Sequence, residues 1–535
     1  MNKIKEKLSR WIKSENFMGN AICALVIGLI IAFNAIVYTI TVAKGLYLYS
    51  PNTDDLTITG ATDTLFADAI EESKKTGEKV RIVFCRTRSQ FDPSSSSFAD
   101  DETNKFYITA KQFEEKYPGF IELAYVNLLT RRMTVGDSDK EELIDLTELQ
   151  VKNESDPDNE YYPLYNSSVI FVSSNPEKEK RYIQDIASAA FILDSSGSGS
   201  YSAYNGEEIV ASMVMWVLAE EHKTAYFTTH HGEVADVTFA NMLTCAGYSI
   251  EMLDLRKINK VPDSADLVVI SNPNKDFEIS VSDIENSNVE SSVYSEIAKL
   301  ERYVEDGGNL YVALDPYVKK LHVLEDFLTK YGISFAERDD GKLRHIVKDD
   351  DNAITPDGFT LVAEFADSNT ANALRESVKQ YKSERNLSVI LRESAALKLD
   401  TSKAEPILVS SSASSVYEGD KRVGSDGNYC LGALAKVKTE EGGESNIFVL
   451  SSIYITANDA LYQKGYSNRD FLYAVFDNVF GMEDVPYGCA PVYRRDIVLE
   501  NLTMKSARIY TAFILAIPAA IAIAGAVITI KRKNR

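Results

Sequence analysis

The chain has 535 residues, which exceeds the size of one typical domain and predicts roughly three to four folded units. Hydrophobic residues make up 45% of it and charged residues 25%, as in globular proteins. The formal net charge of −22 excludes an extended basic face for nucleic-acid phosphates, so no nucleic-acid partner is expected.

The first predicted element is an uncharged segment, residues 21–43, that follows a basic tail, residues 1–20. About 20 apolar residues cross the roughly 30 Å hydrocarbon layer of a bilayer, so this segment is predicted to be a transmembrane helix. A cleaved signal peptide is the alternative. The apolar run exceeds that of a signal peptide, and no small-residue cleavage site follows it, which favours a retained helix.

Residues 47–200 predict a small α/β domain. The helical spacing of Phe106, Ala110, Phe113 and Tyr117 ends at the breaker pair Pro118-Gly119. Around it, β-branched and aromatic runs predict strands at Val80–Cys85, Phe120–Val126 and Ser168–Val172. This order is compatible with a thioredoxin-like arrangement. A redox role is not expected, because Cys85 is followed by Arg-Thr-Arg and not by a C-x-x-C motif.

A connecting helix is predicted over residues 205–222, where Asn205 and Glu208 have the spacing of a capping box. Residues 223–482 then alternate strands and helices, which predicts a doubly wound parallel sheet. Its strands are predicted at Thr224–Thr229, Tyr248–Leu255, Ala265–Ile270, Asn309–Leu314 and Asn446–Ser451. A strand-rich insertion is predicted at about 343–445, and residues 483–508 are predicted to be a membrane-proximal linker.

The second uncharged segment, residues 509–530, precedes the basic tail 531–535 and is predicted to be a second transmembrane helix. Lysine and arginine are concentrated before the first span and after the second, so the positive-inside rule places both termini in the cytoplasm. The chain between the spans is then extracytoplasmic. It carries a formal charge of −29, since the two tails together hold +7.

Outside the spans the chain has four cysteines, Cys85, Cys245, Cys430 and Cys489. An extracytoplasmic compartment permits disulfides, and four cysteines allow three pairings. Because Cys85 and Cys245 lie in apolar periodic segments, these two are expected to be buried free thiols.

Polar side chains follow several strands of the predicted parallel sheet. His230, His231 and Glu233 follow its first strand, Asn272 its third and Asp315 its fourth. Ligand groups gather beyond the carboxyl ends of such strands, so these five residues are candidates for binding a ligand or a partner. Two imidazoles with carboxylates are also sufficient for zinc, which makes a metal or catalytic site an alternative.

Other features favour a structural loop at the same place. Adjacent histidines in an extended segment point to opposite sides, and they chelate together only if a turn, such as one at Gly232, intervenes. Glu233 is expected near the N-terminus of the following helix, where a carboxylate is stabilised. The predicted roles are therefore loop and helix entry, ligand or partner contact, and, as the third alternative, metal binding or catalysis.

Catalytic motifs are absent from the sequence. Ser271-Asn272-Pro273, with no cysteine, stands after the central strand where an amidotransferase carries its nucleophile. Neither a G-x-S-x-G elbow nor a P-loop is present, so energy for any transport would come from another subunit. No enzyme activity and no cofactor are expected.

Several strings in chain order resemble those of the GldG-like family of auxiliary membrane components of ABC transport systems. They are YFTTHHGE, AGYSIEMLDL, DSADLVVISNP, LERYVEDGGNLYVALDP, LTKYGISF and the closing IFVLSS with SNRDFLYAVF. The resemblance implies a second domain with a class I glutamine-amidotransferase-like, flavodoxin-like fold. It also implies a bacterial plasma-membrane location beside an ATP-binding subunit and a permease. His230 departs from the family's usual TGHGE-like string.

These observations predict a non-catalytic auxiliary subunit of a bacterial ABC transport system. Its extracytoplasmic part is expected to bind a substrate, a wall component or a partner protein. The two membrane helices are expected to pack against a permease or against each other, and a homo-oligomer is a further option. The alternative is an extracytoplasmic metal-assisted or amidotransferase-like hydrolase that acts on a surface polymer.

Overall fold

The computed structural model describes residues 58–91, 102–138, 140–152, 160–193, 201–233, 236–277, 295–336, 344–382, 387–440, 442–463, 465–489, 491–493 and 504–533. The chain divides into two compact units. One consists of Met1–Asp55 with Tyr493–Ile497, of which only Tyr493 is described. The other consists of Leu56–Val492 with Val498–Arg535, and the following account concerns this second unit.

The helices are α1 (Gly60–Leu65), α2 (Ala67–Thr76), α3 (Glu102–Lys116), α4 (Ile186–Ala190), α5 (Gly206–Leu218), α6 (Val237–Cys245), α7 (Glu296–Glu305), α8 (His322–Lys330), α9 (Asn369–Lys379), α10 (Asn458–Leu461), α11 (Asn468–Asn478) and α12 (Met504–Lys533). Short 3-10 helices cover Arg88–Phe91, Leu146–Glu148 and Tyr454–Thr456.

The strands are β1 (Val80–Phe84), β2 (Ile121–Asn127), β3 (Arg132–Val135), β4 (Glu142–Leu143), β5 (Val169–Ser173), β6 (Arg181–Ile183), β7 (Phe191–Leu193), β8 (Tyr201–Tyr204), β9 (Thr224–Thr228), β10 (Ser249–Leu253), β11 (Ala265–Ser271), β12 (Asn309–Ala313), β13 (Ile333–Phe335), β14 (Ile346–Lys348), β15 (Thr360–Phe365), β16 (Val389–Arg392), β17 (Leu397–Leu399), β18 (Ala404–Val409), β19 (Ser415–Glu418), β20 (Lys421–Arg422), β21 (Cys430–Lys438), β22 (Glu444–Leu450) and β23 (Val492–Tyr493).

The first sheet has the strand order β4-β3-β2-β1-β5-β6. Strands β1 and β2 are parallel and are connected through α3, whereas β5 and β6 add in antiparallel fashion on the other side of β1. Alternation along β1 sends Ile82 and Phe84 into the core shared with α3, and Val83 into a smaller core on the opposite face. The three strands predicted in this region are confirmed to within one or two residues.

The second sheet contains five parallel strands in the spatial order β10-β9-β11-β12-β22. Numbered along the chain, this is the order 2-1-3-4-5 of a doubly wound sheet. Both of its faces are buried: Leu267 and Val269 of β11 enter a core with α6 and α11, and Val268 and Ile270 enter a core with α7 and α8. The molecule is therefore a mixed α/β protein, as the alternation of predicted elements indicated.

The second sheet continues beyond β22 through antiparallel strands. The order after β22 is β21-β18-β15-β16, and β17 pairs with β21 and β13 beside them. Most of these strands lie between 344 and 438, within the segment that was predicted to be strand-rich. The fifth parallel strand thus joins its neighbour β12 only after a long excursion of the chain.

Helix α5 connects the two sheets and contributes to one continuous core with both. It packs against β1, β5 and β6 of the first sheet and against α6 of the second. The buried Glu208 of α5 pairs with the buried Arg469 of α11, 2.6 Å from Oε2 to Nη1. The predicted capping box is therefore wrong: Asn205 forms no side-chain cap bond, and the Glu208 carboxylate is directed to Arg469.

The same ion pair fixes the segment that follows α11. Arg469 donates a hydrogen bond to the carbonyl of Cys489, and Asp470 accepts one from the Gly488 amide at 3.3 Å. Lys382 lies 3.1 Å from Asp470 and further neutralises it. The chain immediately before residue 490 is thereby held on buried charged groups of α11.

Helix α12 has 30 residues and includes the uncharged segment 509–530, where a helix was predicted. Its first turn is bound to the loop before β15. The Met504 amide donates to the Ala353 carbonyl at 3.0 Å, and Arg508 lies 3.0 Å from the Asp351 carboxylate. Among the described residues, no helix combines the length and the hydropathy required to cross a bilayer. The predicted first span, residues 21–43, lies outside the described residues.

The four cysteines predicted outside the spans are free thiols. Cys85, Cys245 and Cys489 are buried and Cys430 is half-buried. Burial raises the pKa of both Cys85 and Cys245 to about 12. The expectation that Cys85 and Cys245 are buried free thiols is confirmed.

Candidate functional site

The candidate site is built around His231, whose imidazole is held between two glutamates. Nδ1 lies 2.9 Å from Oε1 of Glu233, and Nε2 lies 2.7 Å from Oε2 of Glu296. The other Glu233 oxygen accepts a hydrogen bond from the His231 amide at 2.7 Å. All three side chains are buried, with 4%, 8% and 4% of their surface exposed. We refer to His231, Glu233 and Glu296 as the histidine clamp.

The loop after β11 covers the clamp. The Phe277 ring stacks on the His231 ring with centroids 3.8 Å apart and planes 9° apart. The His231 carbonyl accepts hydrogen bonds from the amides of Asn274 and Lys275, both at 2.8 Å. The loops after the first and third parallel strands are therefore one packed structure, as expected where parallel strands end side by side.

Gly232 makes this packing possible. Its φ of +76° lies in the left-handed region, and a Cβ at this position would stand 2.0 Å from Oδ1 of Asn274. Asn274 in turn donates from Nδ2 to the Gly232 carbonyl at 3.0 Å. The turn that the sequence allowed at Gly232 is present, and it brings Glu233 back to His231.

The clamp keeps His231 protonated. Burial alone would lower the pKa of His231, but the contacts with Glu233 and Glu296 outweigh it and raise the pKa to about 9. For Glu233, burial acts upward, yet the hydrogen bond from His231 holds the pKa of this carboxyl below its ordinary value. At neutral pH the clamp is an imidazolium between two carboxylates.

His230 points away from its neighbour. It has a φ of +79°, and its Nδ1 lies 3.3 Å from Oδ2 of Asp254, at the end of β10. The hydrogen bond from Arg256, together with Lys257, holds the pKa of Asp254 well below its usual range. The two histidines have different partners and exposures, His231 being buried and His230 45% exposed, but the segment is not extended at His230 as the sequence analysis assumed.

Asn272 and Asp315 take other roles at the ends of their strands. Asn272, with φ +54°, donates its amide to the Ala313 carbonyl at 2.9 Å and so ties the ends of β11 and β12 together. Asp315 accepts from the Tyr317 amide at 2.8 Å, and its carbonyl accepts from Arg344 at 2.8 Å. Of the five predicted candidates, the structure brings His231 and Glu233 into direct contact.

The sequence suggested that Glu233 lies near the N-terminus of the following helix. The structure does not place it there. Helix α6 begins at Val237 and is capped by Asp236, whose carboxylate accepts from the Phe239 amide at 2.9 Å. The carboxylate of Glu233 is instead bound to His231, with Oε1 2.9 Å from Nδ1.

Sequence reasoning missed Glu296, Phe277 and Asp254. Glu296 is the first residue of α7, directly after the N-cap Ser295, where an acidic residue is ordinary and signals nothing further. Its contact with His231 exists because α7 follows β11 and returns over the same sheet edge. Only the strand order, which places β11 beside β9, would have revealed it.

The arrangement limits the chemistry of His231. A protonated imidazole whose two nitrogens both face carboxylates has no lone pair to bind a metal ion or to accept a proton. Within the described ranges, no group of three or more histidine, cysteine or acidic side chains is arranged to hold a metal ion. The clamp joins the loop after β9 to α7 through the buried His231–Glu296 ion pair, whereas the His231–Glu233 pair lies within that loop.

No family model and no curated protein matches the chain. Among solved structures, it is similar to PurLQS from Thermotoga maritima, with 13% identity over 48% of this chain and 100% of that one, TM-score 0.28. It is also similar to a ThuA-like protein from Bacteroides uniformis, with 14% identity, 48% and 91% coverage and a TM-score of 0.28. A cytoplasmic protein, STM3548 from Salmonella typhimurium, has 10% identity, 48% and 98% coverage and a TM-score of 0.30.

Proposed function

We propose that the chain is a non-catalytic auxiliary subunit of a bacterial ABC transport system, anchored in the plasma membrane. Its partners are an ATP-binding subunit and a permease. Its extracytoplasmic part binds a substrate, a wall component or a partner protein. The proposal starts from the GldG-like strings of the sequence, which run from YFTTHHGE to SNRDFLYAVF in the family's order.

The observation that carries the non-catalytic part is the histidine clamp. Amidotransferase-like catalysis needs a nucleophile and a histidine that is free to move a proton. Here the histidine at the sheet edge is a protonated ion-pair partner of Glu233 and Glu296. The central strand β11 ends at Ser271 and is followed by Asn272-Pro273, and Asn272 serves to tie two strand ends together.

Fold details support the family assignment within the proposal. The strand order 2-1-3-4-5 of the second sheet is that of flavodoxin-like sheets, which is the layout that an amidotransferase-like domain would have. In the first sheet, the order β2-β1-β5-β6, with β1 and β2 parallel and the next two strands antiparallel, is the arrangement expected of a thioredoxin-like core, and the strands β3 and β4 extend it beyond β2.

The membrane part of the proposal comes from the sequence. A basic tail precedes the uncharged segment 21–43, and another basic tail follows the uncharged segment 509–530. This distribution of charge supports a cytoplasmic location of both termini. The contacts of Met504 and Arg508 with the loop before β15 would then hold the extracytoplasmic part against the start of the second span.

Affinity purification of the full chain from its native membrane in mild detergents tests the proposal. We expect an ATP-binding subunit and a permease to be recovered with it in amounts comparable to the chain itself. The matched control is a variant in which the segment 509–530 is replaced by an unrelated transmembrane helix. Recovery of the chain alone in several detergents would contradict the assignment.

A further inference from the structure

Helix α12 leaves the body of the protein with large apolar side chains uncovered. Ile509, Leu515, Ile521 and Ile523 are between 48% and 67% exposed, although the first turn of the same helix is bound to the body. An exposed apolar surface of this extent marks a site of interaction with lipid or with another protein. The covering of α12 therefore lies on the side of the body from which the helix emerges.

The helix emerges at the carboxyl edge of the parallel sheet. The hydroxyl of Ser452, just past the end of β22, donates to the carbonyl of Arg392 at the end of β16. Strand β16 pairs with β15, and Ala353 forms a bridge with Leu361 of β15. The Ala353 carbonyl accepts the hydrogen bond from the Met504 amide of α12 at 3.0 Å. A short series of backbone contacts thus connects the carboxyl end of β22 to the first turn of α12.

Loops from several strands surround the first turn of α12 and form one surface. Tyr317, just after β12, is 48% exposed. Burial of part of this residue, together with the charges of Glu393 and Asp315, raises the pKa of Tyr317, so these groups lie close together. The half-buried Tyr454, after β22, has the guanidinium of Arg392 over its ring at 5.0 Å. We refer to residues 315–318, 349–359, 392–394 and 452–456 as the carboxyl-edge face.

Ion pairs neutralise much of the charge at this face. Three acidic side chains each have a basic neighbour within 4 Å, in the pairs Lys348–Asp350 at 3.1 Å, Arg392–Glu393 at 3.8 Å and Arg508–Asp351 at 3.0 Å. The chain as a whole carries −22, and an unneutralised acidic surface is repelled by anionic lipid headgroups. A face whose charges cancel in pairs approaches lipid without that repulsion, and tyrosine is a residue type enriched at bilayer surfaces.

We propose that the carboxyl-edge face lies against the outer leaflet of the membrane, with Tyr317 and Tyr454 at the level of the lipid headgroups. This inference rests on the proposed function, because it takes residues 509–530 as a membrane span. Arg508 directly precedes that span and is bound to Asp351 of the face. The headgroup region is only about 5–8 Å deep on each side of a bilayer, so a face bound to the residue before the span lies on it or within it.

This orientation decides which partners reach which end of the parallel sheet. Asn272 and Asp315 follow the carboxyl ends of β11 and β12, so these two candidate residues are turned toward the bilayer and a membrane-embedded partner. The amino ends of the same strands are turned away from the membrane. A wall polymer, which lies farther out, would meet the amino ends and not the candidate residues.

Fluorophores at single positions of the full chain, reconstituted into phosphatidylcholine vesicles, test the orientation. The variants are Tyr317→Cys on the carboxyl-edge face and, as the matched control, the exposed Asp306→Cys before the amino end of β12. The described native cysteines are buried or half-buried, and the parent treated with the same reagent gives the background. The five residues of β12 hold the two positions about 16 Å or more apart, so a quencher on the lipid headgroups should quench position 317 at least about 3-fold more than position 306.

A third label separates the orientation from the span itself. Ile521→Cys lies within the segment 509–530, and a quencher on the lipid acyl chains should quench a fluorophore there. Equal quenching of positions 317 and 306, with position 521 quenched, would overturn the orientation and leave the span in place. No quenching at position 521 would overturn both. Should the melting curve of Tyr317→Cys differ from that of the parent, Asp357→Cys, which is exposed on the same face, replaces it.

Discussion

Arg469 and Glu208 form a fully buried ion pair at 2.6 Å although 261 positions separate them in the chain. The hydroxyl of Tyr473 donates to the other oxygen of Glu208, and Arg469 also donates to the Cys489 carbonyl. This group therefore links three parts of the fold: α5 between the two sheets, α11 on the second sheet, and the segment that follows α11.

Removal of one member of this pair should destabilise the protein strongly. Arg469→Met leaves the buried Glu208 carboxylate without its counter-charge, and a loss of roughly 3–5 kcal/mol in the free energy of unfolding is expected. Denaturant unfolding of the purified chain, followed by circular dichroism, measures it. The double variant Glu208→Gln with Arg469→Met should recover part of the loss, because it removes both charges. A single variant as stable as the parent would contradict this account.

The histidine clamp predicts a dependence of stability on alkaline pH. The pKa of His231 is raised from its ordinary 6.5 to about 9, so its stabilising contribution is complete below about pH 6.5 and is lost as pH rises through 9. The full shift corresponds to about 3 kcal/mol as an upper limit, at 1.4 kcal/mol per pKa unit. Melting curves should show the parent losing stability between pH 6.5 and 9 more than His231→Gln does. Parallel curves for the two proteins would rule out the clamp as the titrating group.

Gly232→Ala separates two costs of the turn after β9. The added Cβ meets Oδ1 of Asn274 at 2.0 Å and also forces alanine into a φ of +76°. We expect a loss of about 2–4 kcal/mol, the sum of a steric clash and left-handed strain. Gly442→Ala is the matched control, since its φ of +88° imposes the strain but its Cβ meets nothing within 4 Å. Gly442→Ala should cost about 1–2 kcal/mol. Equal losses for the two would show that Asn274 moves away freely.

A pair of introduced cysteines should cross-link the first turn of α12 to the loop before β15. The Met504 amide donates to the Ala353 carbonyl at 3.0 Å, so the two backbones lie side by side. Ala353→Cys with Met504→Cys should form a reducible cross-link in the full chain, detected by mass spectrometry of the joined peptides. Leu129→Cys with Met504→Cys is the control, because Leu129 is an exposed residue on the β2–β3 turn. Cross-linking of the control alone would place the helix elsewhere.

The sequence predicted the regular elements well because their patterns are local. The uninterrupted apolar run of β11 indicates a strand that is buried on both faces. The spacing of Leu300 and Val304 in α7 indicates a helix that is buried on one face. Only part of the histidine clamp could be predicted from the sequence. His231 and Glu233 are close together in the chain, but Glu296 belongs to another element, α7. The pattern Asn205-x-x-Glu208 even suggested a local cap, whereas the carboxylate has a distant partner in Arg469. Side-chain partners far apart in sequence depend on strand order, which periodicity does not encode.

The position of β22 has a consequence for how the chain is made. Strand β12 ends at Ala313 and its neighbour β22 begins only at Glu444, so the open edge of β12 has no permanent partner until everything between them has been synthesised. An unpaired apolar edge is an aggregation hazard during biogenesis, and closing so long a loop slows folding. A chain of this design would rely on early folding of the segment between the two strands, or on a holding chaperone, while its C-terminal half emerges.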